Sequence, residues 1–191
     1  MTITKTSPNP WVAFYANRNN EHYYQRVSDK YSPFISAISD SILSGDKVIE
    51  FGCGLCNITR NLVTKHWANN FYALDKEIEM LKLSEQNLDR AGIPRSKVSL
   101  YLGDARTAIL YGDIAHSQGL LEHFKDRDIQ AIIGQQLGNF REIFHYVPSY
   151  KYSAPSFGDE RLMTPDQWHD ICRPSEILEF NNGYDLILRW R

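Results

Sequence analysis

"VIEFGCGLCNITRNL", Val48 to Leu62, decides the fold. It opens as a short apolar run, passes through two glycines, and continues with Ile58, Leu62 and Val63 at helical spacing. A strand, a glycine loop and a helix in that order open a βαβ unit. The loop itself supports three readings. Cys53 and Cys56 have the C-x-x-C spacing of a thioredoxin-like redox site, where a helix N-terminus lowers a thiol pKa. Gly52 and Gly54 begin a dinucleotide fingerprint, but Asn57 stands where its third glycine belongs. Glu50, two residues before Gly52, gives a third pattern: a glycine loop led by an acid. The residues outside the loop must choose among them.

Working outward, "KVIEF", "NFYALD", "KVSLYLGD", "DIAHSQG" and "REIFHYVP" read as buried strands. Between them, "CNITRNLVTKHWA", "KEIEMLKLSEQNLDRAG" and "DRDIQAIIGQQLG" read as helices, the second stopping at Gly92 with Pro94 just beyond. "TPDQWHDIC" starts a helix with Thr164 as N-cap and Pro165 behind it. "EILEF" and "YDLILRWR" close the chain as a hairpin, with Asn182-Gly183 predicting a two-residue turn. The alternation implies an α/β fold: a doubly wound, mostly parallel, seven-stranded sheet with an antiparallel C-terminal hairpin strand and N-terminal helices. Pro10 to about Ser44 is aromatic and predicts one or two helices interrupted near Pro33.

The 191 residues suit a single domain, 1–191, divided into an N-terminal tail and helical lid over 1–44 and a core over 45–191. The opening "MTITKTSPNP" lacks the apolar core of a secretion signal and reads as a loosely attached start. No apolar run approaches the about 20 residues that span a bilayer. A formal net charge of -2 argues against a nucleic-acid partner. Three cysteines make no disulfide framework, which points to a reducing, cytoplasmic compartment. Cys172 has only His169 near it, so no zinc set, and no metal, is expected.

In a doubly wound sheet, ligands bind beyond the carboxyl ends of the strands. The residues there are Gly52 to Asn57, Asp75, Asp104 and Ser117 to His123. A redox site would need an opposing proline before a strand, and none is convincingly placed. The set of Glu50, Gly52, Gly54, Asp75, Asp104 with Ala105, and "SQGLLEHF" resembles the class I S-adenosylmethionine-dependent methyltransferases from about Lys47 onward. Cys56 departs from the family pattern, where a third glycine is usual.

That resemblance implies a transferase that binds S-adenosyl-L-methionine and releases S-adenosyl-L-homocysteine. It implies cofactor contacts at Glu50, Gly52, Cys53, Gly54, Asp75, Lys76, Asp104, Ala105 and Ser117. Glycines let the backbone approach the ligand, helix-start N–H groups receive a carboxylate, and an acid accepts from ribose hydroxyls. Each acid has a plainer role open to it: Glu50 as a cap on the loop's own amides, Asp75 and Asp104 as turn or N-cap residues. Acceptor contacts fall on Tyr15, Tyr24, Glu122, His123, Tyr150 and Glu160, the last two in the long loop Val147 to Pro165. Candidate bases are Glu122, His123, His116, His22, Tyr15 and His145, with no base assigned. His116 reads equally as a core histidine. The aromatic N-terminal helices read both as a packed face and as a lid. With little chain left for a recognition domain, a small-molecule acceptor at oxygen or nitrogen leads. Methylation of a protein or nucleic acid, or a non-catalytic module that binds cofactor and partner, are the alternatives. The oligomeric state stays open.

Overall fold

The computed structural model describes residues 9–191, so the expected loose start over residues 1–8 lies outside the described residues. Seven strands form one sheet: β1 (Lys47–Phe51), β2 (Asn70–Asp75), β3 (Val98–Leu102), β4 (Ile114–Gln118), β5 (Glu142–Pro148), β6 (Glu176–Phe180) and β7 (Asp185–Trp190). Their order is β3-β2-β1-β4-β5-β7-β6. The first five pair in parallel, and β7 runs antiparallel to both β5 and β6. The strand order reverses between β1 and β4, which opens the ligand crevice at their carboxyl ends.

Period-two alternation splits the core into two layers. Val48, Ile114 and Phe144 face one layer, with Phe34, Ile38, Ile58 and Leu62 from the helices above them. Ile49, Ala115 and Ile143 face the other, against Ile129, Ile132 and Trp168. The helices are α1 (Pro10–Ala16), α2 (Glu21–Lys30), α3 (Ser32–Ser39), α4 (Asn57–Lys65), α5 (Ile78–Arg90), α6 (Asp126–Leu137) and α7 (Pro165–Cys172). The Thr164 side chain and Gln167 form a reciprocal capping box at α7, as the Thr-Pro start predicts. No helix among the described residues is long and apolar enough to cross a membrane.

Two expectations are corrected. The N-terminal segment holds three helices, because Asn9 and Asn20 each cap a separate start and Pro33 sits in the first turn of α3, where its missing N–H costs nothing. The closing hairpin has four loop residues rather than two. Phe180 pairs with Asp185, and Asn181, Asn182 and Gly183 are all left-handed. The Asn181 amide donates to the Asp185 carboxylate, which holds this longer turn.

Cys56 explains the missing glycine. It sits at φ 58° and ψ 31° as the residue before α4, a left-handed conformation that glycine adopts without strain. Its side chain is small, fully buried, and caps nothing.

Candidate functional site

The loop after β1 is bolted to β2. Cys53 N–H donates to the Leu74 carbonyl (2.9 Å), and Gly54 N–H donates to Asp75 Oδ2 (3.1 Å). Asp75 Oδ1 accepts from Glu77 N–H at 3.0 Å. Asp75 thus performs the turn role open to it, with lone pairs to spare on both oxygens. Burial raises its carboxyl above the usual range, opposed by these two backbone donors.

Gly52, Gly54, Asp75, Lys76, Asp104 and Ala105 line one cavity of about 270 Å³ at the sheet's reversal point. A glycine loop, a rim of two carboxylates and the Lys76 ammonium form a polar set suited to a ligand with hydroxyls, an amino group and a carboxylate. Gln118 and Gly119, in the Ser117 to His123 segment, line it too, with Trp11 of the aromatic N-terminal segment and Asp159 of the long loop; Glu77 and Met80 are wall residues that sequence reasoning missed. Asp104 is already engaged by a fork from Arg106, whose guanidinium holds the carboxyl below its usual range.

Three predicted cofactor contacts lie elsewhere. Glu50 is buried and accepts from Thr59 N–H (3.2 Å) and Thr59 Oγ1 (2.6 Å), so it caps the first turn of α4. Burial pushes it up to about 8, although the Thr59 bonds oppose the shift. Ser117 is fully buried and bonds His145 Nδ1 at 2.6 Å, away from the cavity. Cys53 is buried beside Ser84. The hydrogen bond to Cys56 and then burial raise its thiol well above the ordinary range, the opposite of a redox C-x-x-C site. In the folded protein at neutral pH, iodoacetamide should alkylate Cys53 at least about 10-fold more slowly than in urea, as peptide mass spectrometry can measure.

A second cavity of about 140 Å³ adjoins the first and shares Trp11, Tyr15, Gln118, Gly119 and His123 with it. Tyr15, Glu122, His123 and Glu160 line it as expected. Tyr24 and Tyr150 do not. The Tyr24 ring lies 3.5 Å from the buried Arg60 guanidinium, which also pairs with Glu21 and so fastens α2 to α4. Tyr150 is 51% exposed. Tyr23 and Tyr152 take their places, joined by Lys30 and Tyr146, which sequence spacing gave no means of finding.

The roof is aromatic. Trp11 and Phe14 of α1 each pack on Phe157 of the loop between β5 and α7, with centroids 4.4 Å apart, and Trp11 stands edge-on to His123 at 4.9 Å. The loop is tied down by Arg161, which reaches the carbonyls of Glu122 and Phe124 and the Asp126 carboxylate. His123 Nδ1 bonds Asp159 Oδ1 at 3.0 Å.

The other candidate bases divide clearly. His22 is exposed and outside both cavities. Burial raises the Tyr15 hydroxyl, which keeps it protonated. His145 is held between Ser117 and Gln136, and burial lowers it to about 3. His116 is fully buried with both ring nitrogens unpartnered, and burial lowers it from 6.5 to about 3. It is a core residue. A group with a lowered folded pKa and no charge partner loses stability as protons bind the unfolded chain. That loss sets in below pH 6.5 and grows until about pH 3. His116→Leu should therefore stabilise the protein by about 1 kcal/mol near neutrality, with the gain widening on acidification. Urea titrations across that range check it.

No protein-family model and no curated relative matches the sequence. Solved structures match in fold. The mitomycin 7-O-methyltransferase is 9% identical, with a TM-score of 0.69 over 95% of this chain and 68% of that one. The magnesium protoporphyrin IX methyltransferase from Synechocystis PCC 6803, solved with S-adenosylmethionine bound, is 15% identical, with a TM-score of 0.65 over 96% and 85%. An S-adenosylmethionine-dependent methyltransferase from Clostridium acetobutylicum ATCC 824 is 13% identical, with a TM-score of 0.67 over 95% and 98%. The chain spans only 60–68% of the length of several of the structures it matches. At these identities the likeness is one of fold: the chain has the Rossmann-like architecture of the class I methyltransferases.

Proposed function

We propose that this protein is an S-adenosylmethionine-dependent methyltransferase that acts on a small molecule at oxygen or nitrogen. One observation carries the reading: two adjoining cavities share a wall, one rimmed by the glycine loop and acids, the other aromatic and small. Asp75 would accept from the ribose hydroxyls. Asp104 would accept from the adenine amino group while keeping Arg106, and the N–H groups entering α4 would receive the amino-acid carboxylate. When bound, the cofactor supplies a methyl group on a sulfonium leaving group. The chain's own contribution is then position and exclusion of water. Trp11, Tyr15 and His123 touch both spaces, so they set the approach of an acceptor to that methyl.

The enclosed roof supports a small acceptor over a docked protein or nucleic acid, which would need an open groove. It also supports the division into a lid over 1–44 and a core over 45–191. Isothermal calorimetry with S-adenosylhomocysteine tests the cofactor half, and absence of binding at millimolar ligand refutes it. Binding without methyl transfer to any acceptor would leave the non-catalytic module standing in its place.

A further inference from the structure

The smaller cavity has a distinctive chemistry. Trp11, Tyr15, Tyr23, Tyr146, Tyr152 and Phe157 give it a largely aromatic side. Glu122 lines it too, buried at 2% exposure, and among the described residues its Oε2, itself closed off from solvent, has no partner. Glu160 lies close by, with a carboxylate oxygen within 4.8 Å of a Glu122 oxygen and of a His123 ring nitrogen. Among the described residues the cavity has one cationic side chain, Lys30, and it is engaged by the Tyr152 hydroxyl at 3.2 Å and Asp185 at 3.8 Å. An unpartnered buried carboxylate is costly, and aromatic faces attract organic cations.

We propose that the acceptor is a small organic amine, held as its ammonium beside the Glu122 carboxylate with its charge against the aromatic wall. This rests on the methyltransferase reading and narrows it to nitrogen. For transfer, Glu122 takes one ammonium proton. The freed nitrogen lone pair forms the bond to the methyl carbon as the methyl–sulfur bond breaks. The sulfur keeps that electron pair and leaves as a neutral thioether. The product departs as the methylated ammonium, and Glu122 passes its proton to water. Burial pushes Glu122 up to about 8, so the empty site holds it largely as the acid; it gives up that proton as the ammonium binds and, nearer an amine's own range than an ordinary carboxylate's, can take one back for transfer.

A divalent ion suits the same residues less well. Both Glu160 oxygens already accept from Ser156, and His123 Nδ1 is held by Asp159. Hard cations want about six oxygen ligands, which an aromatic wall does not supply.

The test uses the full chain saturated with S-adenosylhomocysteine, whose own binding is measured first. Failure there defeats the methyltransferase reading on which this proposal rests; once that ligand is seen to bind, the titrations that follow bear on the amine alone. Phenethylamine, methylamine, the uncharged isostere 2-phenylethanol and the anion phenylacetate are then titrated by calorimetry, with MgCl₂ and MnCl₂ in parallel. At least one amine should bind, with phenethylamine about 10-fold or more tighter than 2-phenylethanol. Glu122→Gln should remove that advantage while S-adenosylhomocysteine still binds, which also reports that the variant is folded. Three results overturn the proposal. They are no amine binding, equal affinity for amine and alcohol, or a divalent-ion signal lost in Glu122→Gln with amine affinity unchanged. The amine-to-alcohol ratio in the parent protein needs no variant.

Discussion

Asp75→Ala lowers the affinity for S-adenosylhomocysteine by about 100-fold or more. Hydrogen bonds to an ionised group contribute about 1.5–3 kcal/mol each, and a ribose offers two hydroxyls to this carboxylate. The same side chain accepts from Gly54 and Glu77 N–H groups, so its removal also frees the glycine loop from β2. Asp75→Asn separates the two effects. It keeps an acceptor oxygen for the loop but loses the charge, and should fall between parent and alanine variant. Calorimetry gives the affinities, and a thermal melt gives the cost to the fold. An alanine variant that binds within threefold of the parent would remove Asp75 from the cofactor site.

Gly52→Val is the second large effect, and it acts on the fold and the site together. Gly52 has φ +63°, and a Cβ there would lie 2.6 Å from Leu120 Cδ1. A left-handed residue with a side chain costs about 1–2 kcal/mol, and forced overpacking adds about 1–3 kcal/mol. A loss of about 3 kcal/mol corresponds to a melting point lower by about 6–12 °C for a chain of this size. Leu120 and Gly52 both line the larger cavity, so S-adenosylhomocysteine binding should fall with it. Gly54→Ala is the milder comparison, since its added Cβ meets only the Tyr15 ring, at 3.9 Å. Equal melting points for the parent and Gly52→Val would mean that the loop takes another path.

The sheet is legible in the sequence because each buried strand ends in a polar or glycine residue at the crevice. That places Gly52, Asp75 and Asp104 without knowledge of the packing. Ser117 is not legible: all but the last residue of β4 are buried, so no alternation of polar and apolar residues says which side chain faces the ligand. Tyr24 and Tyr23 differ only by one step around a helix, and it is Arg60, 36 positions further along, that claims Tyr24. The role of Glu50 is decided by Thr59, one helical turn into α4, which motif spacing does not reveal. Lys30 and Tyr146 come to one wall through Asp185, at the start of β7, which contacts both, and the hairpin pattern leaves open which strand β7 pairs with. The hairpin itself is legible as a turn, but its length depends on the Asn181–Asp185 bond.

The inserted strand also orders events during synthesis. The larger cavity draws on β1 to β4, α1 and the loop before α7, all of which precede β7 in the chain. The smaller one cannot be completed without it. Asp185, at the start of β7, accepts from the Tyr146 and Tyr152 hydroxyls and so fixes two of its walls. Until β7 emerges, β5 presents an unpaired edge, open to a strand from any neighbouring nascent chain.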